Sequence, residues 1–163
     1  MARVTKRSNW YVARAERMRP RRWLSEREFA FIFRRVPRLC VDVVIRDRRG
    51  VVLTKRDIAP DRGRWNFPGG TVRRGERLIP AVHRFAREEA GLRVKVIRVL
   101  GAIEFFGRPA SPHIISIAYL CRPAGGRLRG SWQGREVRFF RQLPSDIVPE
   151  DRQFLIRQGV LPR

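Results

Sequence analysis

The chain has 163 residues, of which 43% are hydrophobic, and its 37 Lys and Arg against 15 Asp and Glu give a formal net charge of +22. This length is enough for one domain with a substantial core, and the hydrophobic content excludes a disordered chain. No apolar run is long enough to cross a bilayer, and the N-terminus lacks the apolar core of a secretory signal, so we expect a cytoplasmic protein without a membrane partner.

Arginine supplies nearly all of the positive charge, since only Lys6, Lys55 and Lys95 are lysines. A field of this strength attracts polyanions and raises their association rates. A compositional bias that decorates every surface with arginine would give the same total. The charge therefore predicts non-specific polyanion binding, and it does not by itself predict a nucleic-acid function.

The first half of the chain begins with a basic, irregular segment. We expect residues 1–22 to be an N-terminal extension and residues 23–163 to form the domain. The spacing of Ser25 and Glu28 is that of a capping box and predicts a short helix. Runs of branched residues then predict two strands joined by a turn, and a polar loop follows them; these segments are 39–47, 51–55 and 57–64.

The second half is predicted to contain one long helix among strands. The helix covers 77–90 and ends at Gly91, which suits a left-handed cap. Strands are predicted over 94–106, 113–122 and 136–141, a final helix near 150–158, a Gly/Pro loop over 107–112 and a flexible connection over 123–134. Strands outnumber helices, so the fold class is α+β or mixed α/β. Cys40 and Cys121 are expected to be buried, reduced core residues.

Acidic residues are concentrated around the predicted long helix. Glu88 and Glu89 lie at its end, where the helix dipole disfavours negative charge, and Glu76 lies just before it. Clustered carboxylates repel one another and resist burial without a cation. A hard divalent ion, Mg²⁺ or Mn²⁺ in its place, would resolve this conflict and attract phosphate. The alternative is a solvated helix end in which Arg84 and Arg87 are ion-pair partners.

The spacing of these residues resembles the signature of the Nudix hydrolases. The residues in register are Gly70, Glu76, Arg84, Glu88, Glu89, Gly91 and Leu92. Phe85 departs from the pattern, because the family has a glutamate there and phenylalanine can neither bind metal nor deprotonate water. The resemblance implies a Nudix fold, in which a mixed β-sheet is sandwiched between α-helices, and Mg²⁺-dependent hydrolysis of a nucleoside diphosphate derivative.

The resemblance also implies roles for individual residues. The implied metal ligands are the backbone carbonyl of Gly69 and the side chains of Glu88 and Glu89. Glu76 would support the metal or contact Arg84. Arg84 is four residues before Glu88 and would orient that carboxylate, and Glu89 would serve in catalysis as well as at the metal.

A more specific resemblance is to the GDP-mannose mannosyl hydrolases, a Nudix branch that also lacks the glutamate after the signature arginine. The likeness covers roughly residues 24–120, including the segment from Gly63 to Gly70. It implies a nucleotide substrate and a homodimer. The implied substrate contacts are Arg56, Asp42 and His113, with Gln133 at the metal or phosphate. Trp132 is a candidate for stacking on a nucleobase, or an anchor to the core.

The proton acceptor is the gap in this resemblance. The branch attacks the anomeric carbon of the sugar and uses a histidine in its late loop, but residues 130–136 contain none. The candidate substitutes are Glu104, Glu136 and His113, and each could instead be a strand residue with a purely structural partner.

Two other functions stay open at this point. One is attack on phosphorus in a nucleoside triphosphate or a dinucleotide. The other is a non-catalytic Nudix scaffold that binds nucleic acid or a ribosome, which the high charge and Phe85 would suit.

Overall fold

The computed structural model describes residues 24–108 and 111–160. The predicted extension over 1–22 lies outside the described residues. The helices and strands of the described part, in chain order, are α1 Glu26–Phe33, β1 Arg38–Asp47, β2 Gly50–Lys55, β3 Trp65–Asn66, β4 Gly69–Thr71, α2 Leu78–Ala90, β5 Leu92–Arg108, β6 Ser111–Gly126, β7 Glu136–Phe140 and α3 Pro149–Gln158.

The strands form one mixed sheet in the order β3-β2-β1-β6-β5, with β4 paired to β1 and β7 paired to β2. The pair β1 and β6 is parallel, and the other pairs are antiparallel. Strand β1 pairs with β4 at Asp42 and with β2 at Arg46. Strand β1 therefore joins two parts of the sheet. The combination of this mixed sheet with three helices confirms the predicted α+β class.

Two hydrophobic clusters cover the two faces of this sheet, because successive residues of β1 point in opposite directions. Val43 belongs to the cluster that includes Phe85 of α2. Val44 belongs to the cluster that includes Phe154 of α3. The sheet is therefore sandwiched between helices, as the resemblance to the Nudix family implies.

Two predicted loops, 107–112 and 123–134, have wrong bounds, although residues 127–134 lie outside any strand as predicted. Strand β5 continues to Arg108, and β6 begins at Ser111 and runs on to Gly126. These strands pair along nearly their whole length, from Leu92 with Gly126 to Arg108 with Ser111. The glycines and prolines lower strand propensity, but cross-strand pairing overrides it here.

Cys40 and Cys121 are free and buried, as expected. Burial raises the pKa of Cys40 to about 11 and that of Cys121 to about 12, so both are neutral thiols. Within residues 24–108 and 111–160, no helix is long and apolar enough to span a membrane.

Candidate active site

The loop and helix after β4 bring the sequence-predicted acids to the sheet. Strand β4 lies against β1, with Gly69 opposite Asp42. Helix α2 follows and packs its apolar face on the sheet, and Gly91 ends it with a φ of 71°. Glu89 lies on the buried face of this helix, one turn after Phe85. The helix thus aims one carboxylate back at the β4 backbone.

The carboxylate of Glu89 is the centre of the site. Glu89 is only 6% exposed to solvent. The N–H of Gly69 donates to its Oε2 at 3.0 Å, and Nε2 of Gln133 donates to its Oε1 at 3.1 Å. Burial, with a smaller contribution from the nearby charges of Asp42 and Glu88, raises the pKa of Glu89 to about 7. An added positive charge would therefore stabilise this carboxylate strongly.

Arg84 links the remaining signature acids. Its Nε and Nη2 donate to the two carboxylate oxygens of Glu76, each at 2.7 Å, and its Nη1 donates to Glu88 at 3.3 Å. The Arg84 guanidinium is the main reason that the pKa of Glu76 is lowered. Glu76 therefore holds Arg84 by a bidentate pair, and Arg84 in turn orients the half-exposed Glu88.

A second group of charges lies beside Glu89. Burial raises the pKa of Asp42 to about 6. Burial and the charge of Asp42 also raise the pKa of Asp151, which is 2% exposed and accepts the N–H of Phe67 at 3.1 Å. The guanidinium of Arg56 opposes these carboxylates, and burial lowers its pKa. The candidate site beside β4 and β1, called the cleft below, thus holds the three carboxylates of Asp42, Glu89 and Asp151 near the one guanidinium of Arg56.

The loop after β2 fixes Arg56. Its Nε donates to the carbonyl of Pro60 at 2.6 Å, and its backbone N–H donates to the carbonyl of Arg64 at 2.9 Å. The loop itself is tied by Asp61, which pairs with Arg108 at 3.3 Å. A guanidinium held by carbonyl groups keeps its charge and retains N–H groups for an anionic ligand.

Glu104 and His113 lie apart from this arrangement. They pair with each other at 3.6 Å, and the side chain of Glu104 is 57% exposed. The ring of Phe106 stacks on His113 with a centroid distance of 4.7 Å. Strand β5 is two strands from β1, a lateral distance of about 10 Å. Trp132 is half-buried in the loop that delivers Gln133.

Sequence reasoning missed two residues of the cleft. Asp151 is in the first turn of α3, where an acid is typical of any helix, so no local signal distinguishes it. Asp61, at φ 62°, is the one non-glycine residue with positive φ among those described. Only the folded chain shows that its carboxylate anchors the loop of Arg56.

A model of the NUDIX domain matches residues 36–160. The chain belongs to the Nudix family. The MutT NUDIX hydrolase of Burkholderia pseudomallei has the same fold, with a TM-score of 0.68 and 26% identity over 74% of this chain and 97% of that one. The Nudix fold is therefore confirmed, and the seven signature residues run from Gly70 in β4 through α2 to Leu92 at the start of β5.

Two curated relatives are similar over part of the chain. The low-salt glycan biosynthesis protein Agl8 of Haloferax volcanii is 41% identical over 88 residues, or 54% of this chain and 56% of that protein. The ADP-ribose pyrophosphatase of Methanocaldococcus jannaschii is 36% identical over 104 residues, or 64% of this chain and 62% of that protein. The chain thus matches less than two thirds of the length of either relative.

Nudix hydrolases generally use divalent cations such as Mg²⁺, and the donor set here fits one. Among the described residues, no three His, Cys, Asp or Glu side chains form a complete metal cage. Mg²⁺ is usually held by one or two carboxylates together with substrate phosphates and water. Glu89 and Glu88 supply two carboxylates, and each Glu89 oxygen uses one lone pair on a hydrogen bond and keeps another.

Proposed function

We propose that this Nudix protein is a divalent-cation-dependent hydrolase of nucleoside diphosphate derivatives, with a nucleotide sugar such as GDP-mannose as its leading substrate. The observation that supports this most is the buried carboxylate of Glu89 between the backbone of Gly69 and the side chain of Gln133. A buried carboxylate with a pKa near 7 is costly to a fold and useful to a cation site.

The chain's own residues would divide the work in the following way. Glu88 and Glu89 hold the cation, which would neutralise the negative charge of the departing diphosphate. Arg84, fixed by Glu76, keeps Glu88 in place. Arg56 binds a phosphate oxygen of the substrate with the N–H groups that its loop leaves free.

Asp42 is our candidate for the group that takes the proton from the attacking water. Its carboxylate lies beside the hydroxyl of Ser116, its Oδ2 is buried, and its pKa of about 6 lies close to neutral pH. Glu104, the sequence-predicted acid, instead pairs with His113 on an exposed part of β5. Comparison of Asp42→Asn with Glu104→Gln separates the two, since only loss of the acceptor lowers turnover by about 100-fold or more.

The relatives favour two different points of attack. The H. volcanii relative is a glycan biosynthesis protein, which supports a sugar-containing substrate and attack at carbon. The M. jannaschii relative is an ADP-ribose pyrophosphatase, which supports attack at phosphorus. Phe85 favours the first, because the GDP-mannose branch also lacks a carboxylate at that position.

Hydrolysis of GDP-mannose and of ADP-ribose in ¹⁸O-labelled water with Mg²⁺ tests the proposal. We expect GDP-mannose to be consumed and the label to appear on the released sugar. Label on phosphate, or turnover of ADP-ribose alone, would establish phosphorus attack as the function instead. A folded protein that turns over neither compound, nor any member of a broad nucleotide panel, would support a non-catalytic Nudix scaffold.

Matched variants separate loss of the site from loss of charge. Glu89→Gln removes the proposed cation ligand, whereas Asp146→Asn removes a half-exposed carboxylate that pairs with Lys55. We expect Glu89→Gln to abolish Mg²⁺-dependent turnover and Asp146→Asn to keep it. Equal activity in the two variants would contradict the assignment of Glu89.

A further inference from the structure

Three neighbouring strands each place one basic residue at the end of the sheet remote from the cleft. Lys95 of β5 lies directly opposite Arg122 of β6. Ile45 of β1 is paired with Cys121, so the next residue, Arg46, lies beside Arg122. We call Arg46, Lys95 and Arg122 the basic row. Arg46 is four residues beyond Asp42, or about 13 Å along an extended strand.

The basic row projects from one face of the sheet. Val44 and Leu120, each two residues before a member of the row, pack with the hydrophobic cluster under α3. Val94 and Val96, on either side of Lys95, pack with the cluster on the opposite face. Alternation along the strands therefore sends all three basic side chains to the same side.

This arrangement is electrostatically unfavourable for the isolated fold. Like charges directly opposite each other on antiparallel strands are destabilising. Lys95 and Arg122 are both exposed. Within the described part of the chain, no member of the basic row forms an ion pair with a carboxylate, and the buried Nε of Arg46 has no hydrogen-bond partner. A polyanion laid across the strands would turn this repulsion into attraction.

We propose that the basic row binds the sugar–phosphate backbone of a nucleic acid. Strands about 4.8 Å apart space the three charges over roughly 10 Å of the sheet, a span within which their long side chains can contact more than one phosphate of a single strand. The three residues of the basic row offer positive charge and no aromatic ring on which a base could stack. We therefore expect them to bind phosphates without preference for the base sequence. A second copy of this chain would bring the same positive surface and be repelled. The site is distinct from the cleft and does not depend on hydrolysis.

Salt-dependent binding of a labelled single-stranded oligouridylate tests this proposal. The Lys95→Gln/Arg122→Gln protein lacks two of the three charges. The control is Arg34→Gln/Arg141→Gln, which removes the same net charge from two exposed positions elsewhere. Fluorescence anisotropy between about 50 and 200 mM salt gives the affinity and the slope of its logarithm against the logarithm of salt concentration.

We expect the Lys95→Gln/Arg122→Gln variant to lose roughly 10-fold or more in affinity near 0.1 M salt and to lower the slope by about 1.4. The control is expected to bind within about 2-fold of the wild type. The row variant should melt no lower than the wild type, because it relieves a repulsion.

Three results would overturn the assignment. Equal losses in the two variants would mean that diffuse net charge, and not this row, binds the oligonucleotide. A wild-type protein that does not bind the oligonucleotide at low salt would reject the surface altogether. Binding to phosphatidylglycerol vesicles that depends on Lys95 and Arg122, with oligonucleotide binding unchanged, would assign the row to an anionic membrane instead.

Discussion

The distal edge of the Phe85 ring lies against Gly70, and a Cβ on Gly70 would lie 2.9 Å from Cζ of the phenyl ring. The ring is only 5% exposed and packs in the hydrophobic cluster under α2. The guanidinium carbon of Arg84 lies 4.1 Å from its centroid. The departure from the Nudix signature is thus a packed core residue that supports both the glycine strand and the signature arginine.

Gly70→Ala is expected to destabilise the fold by about 1–3 kcal/mol, because the added methyl group collides with the Phe85 ring. Urea unfolding of the single variants and of Gly70→Ala/Phe85→Leu measures the coupling between the two positions. The smaller leucine should recover part of the loss. Additive losses in the double variant would show that the two residues are not in the contact described here.

Phe85→Glu restores the family's residue, and we expect it to harm the fold. A carboxylate would replace a buried ring beside Glu89, at a cost of about 3 kcal/mol or more, whereas Phe85→Leu should cost about 1.5 kcal/mol or less. Chemical denaturation without metal checks both values. A glutamate variant as stable as the leucine variant, with higher turnover, would mean that position 85 opens to the cleft.

The signature helix and most of the strands were predictable because they rest on local signals, whereas the sandwiched sheet followed from the resemblance to the Nudix family. A cap at Gly91, period-3.6 burial and strand alternation act over a few residues. The continuation of β5 and β6 through glycine and proline was not predictable, because strand pairing decides it. The hydrogen bond from the N–H of Phe67 to the carboxylate of Asp151 links residues 84 positions apart. No local sequence pattern predicts such a contact.

Asp151 is expected to make stability fall as pH rises. Its pKa is raised in the folded protein, so the folded state holds this proton more tightly than the unfolded state, in which the carboxyl titrates near 3.8. Stability is therefore lost as pH rises above that value. Asp151→Asn keeps an acceptor for the N–H of Phe67 and loses the charge.

Thermal melting from about pH 5 to about pH 8 tests this expectation. Asp151→Asn should flatten the decline and melt several degrees higher than the wild type at the upper pH. Asp146→Asn, at an exposed partner of Lys55, is the matched control and should follow the wild type. Parallel plots of melting temperature against pH for all three proteins would show that the Asp151 carboxyl is solvated and has no raised pKa.

Arg108 is expected to order the loop that holds Arg56. It bridges Asp61 at 3.3 Å and Glu150 at 3.0 Å, so it ties the loop to α3. In Arg108→Ala, the amides of residues 57–64 should exchange hydrogen about 10-fold faster, which corresponds to about 1.4 kcal/mol of lost protection. Hydrogen-exchange mass spectrometry measures this. Arg138→Ala, at an exposed position of β7, should leave the exchange rates of the loop amides unchanged. Equally fast exchange in the two variants would show that Arg108 does not order the loop specifically.

Titration calorimetry of Mg²⁺ and Mn²⁺ shows whether Glu88 and Glu89 hold a divalent cation. We expect cation uptake by the wild type, alone or with a bound nucleotide, weakened at least about tenfold in Glu89→Gln and retained in Glu104→Gln. A wild-type protein that takes up neither ion under either condition, or a Glu89→Gln variant that binds as tightly as the wild type, would contradict this assignment.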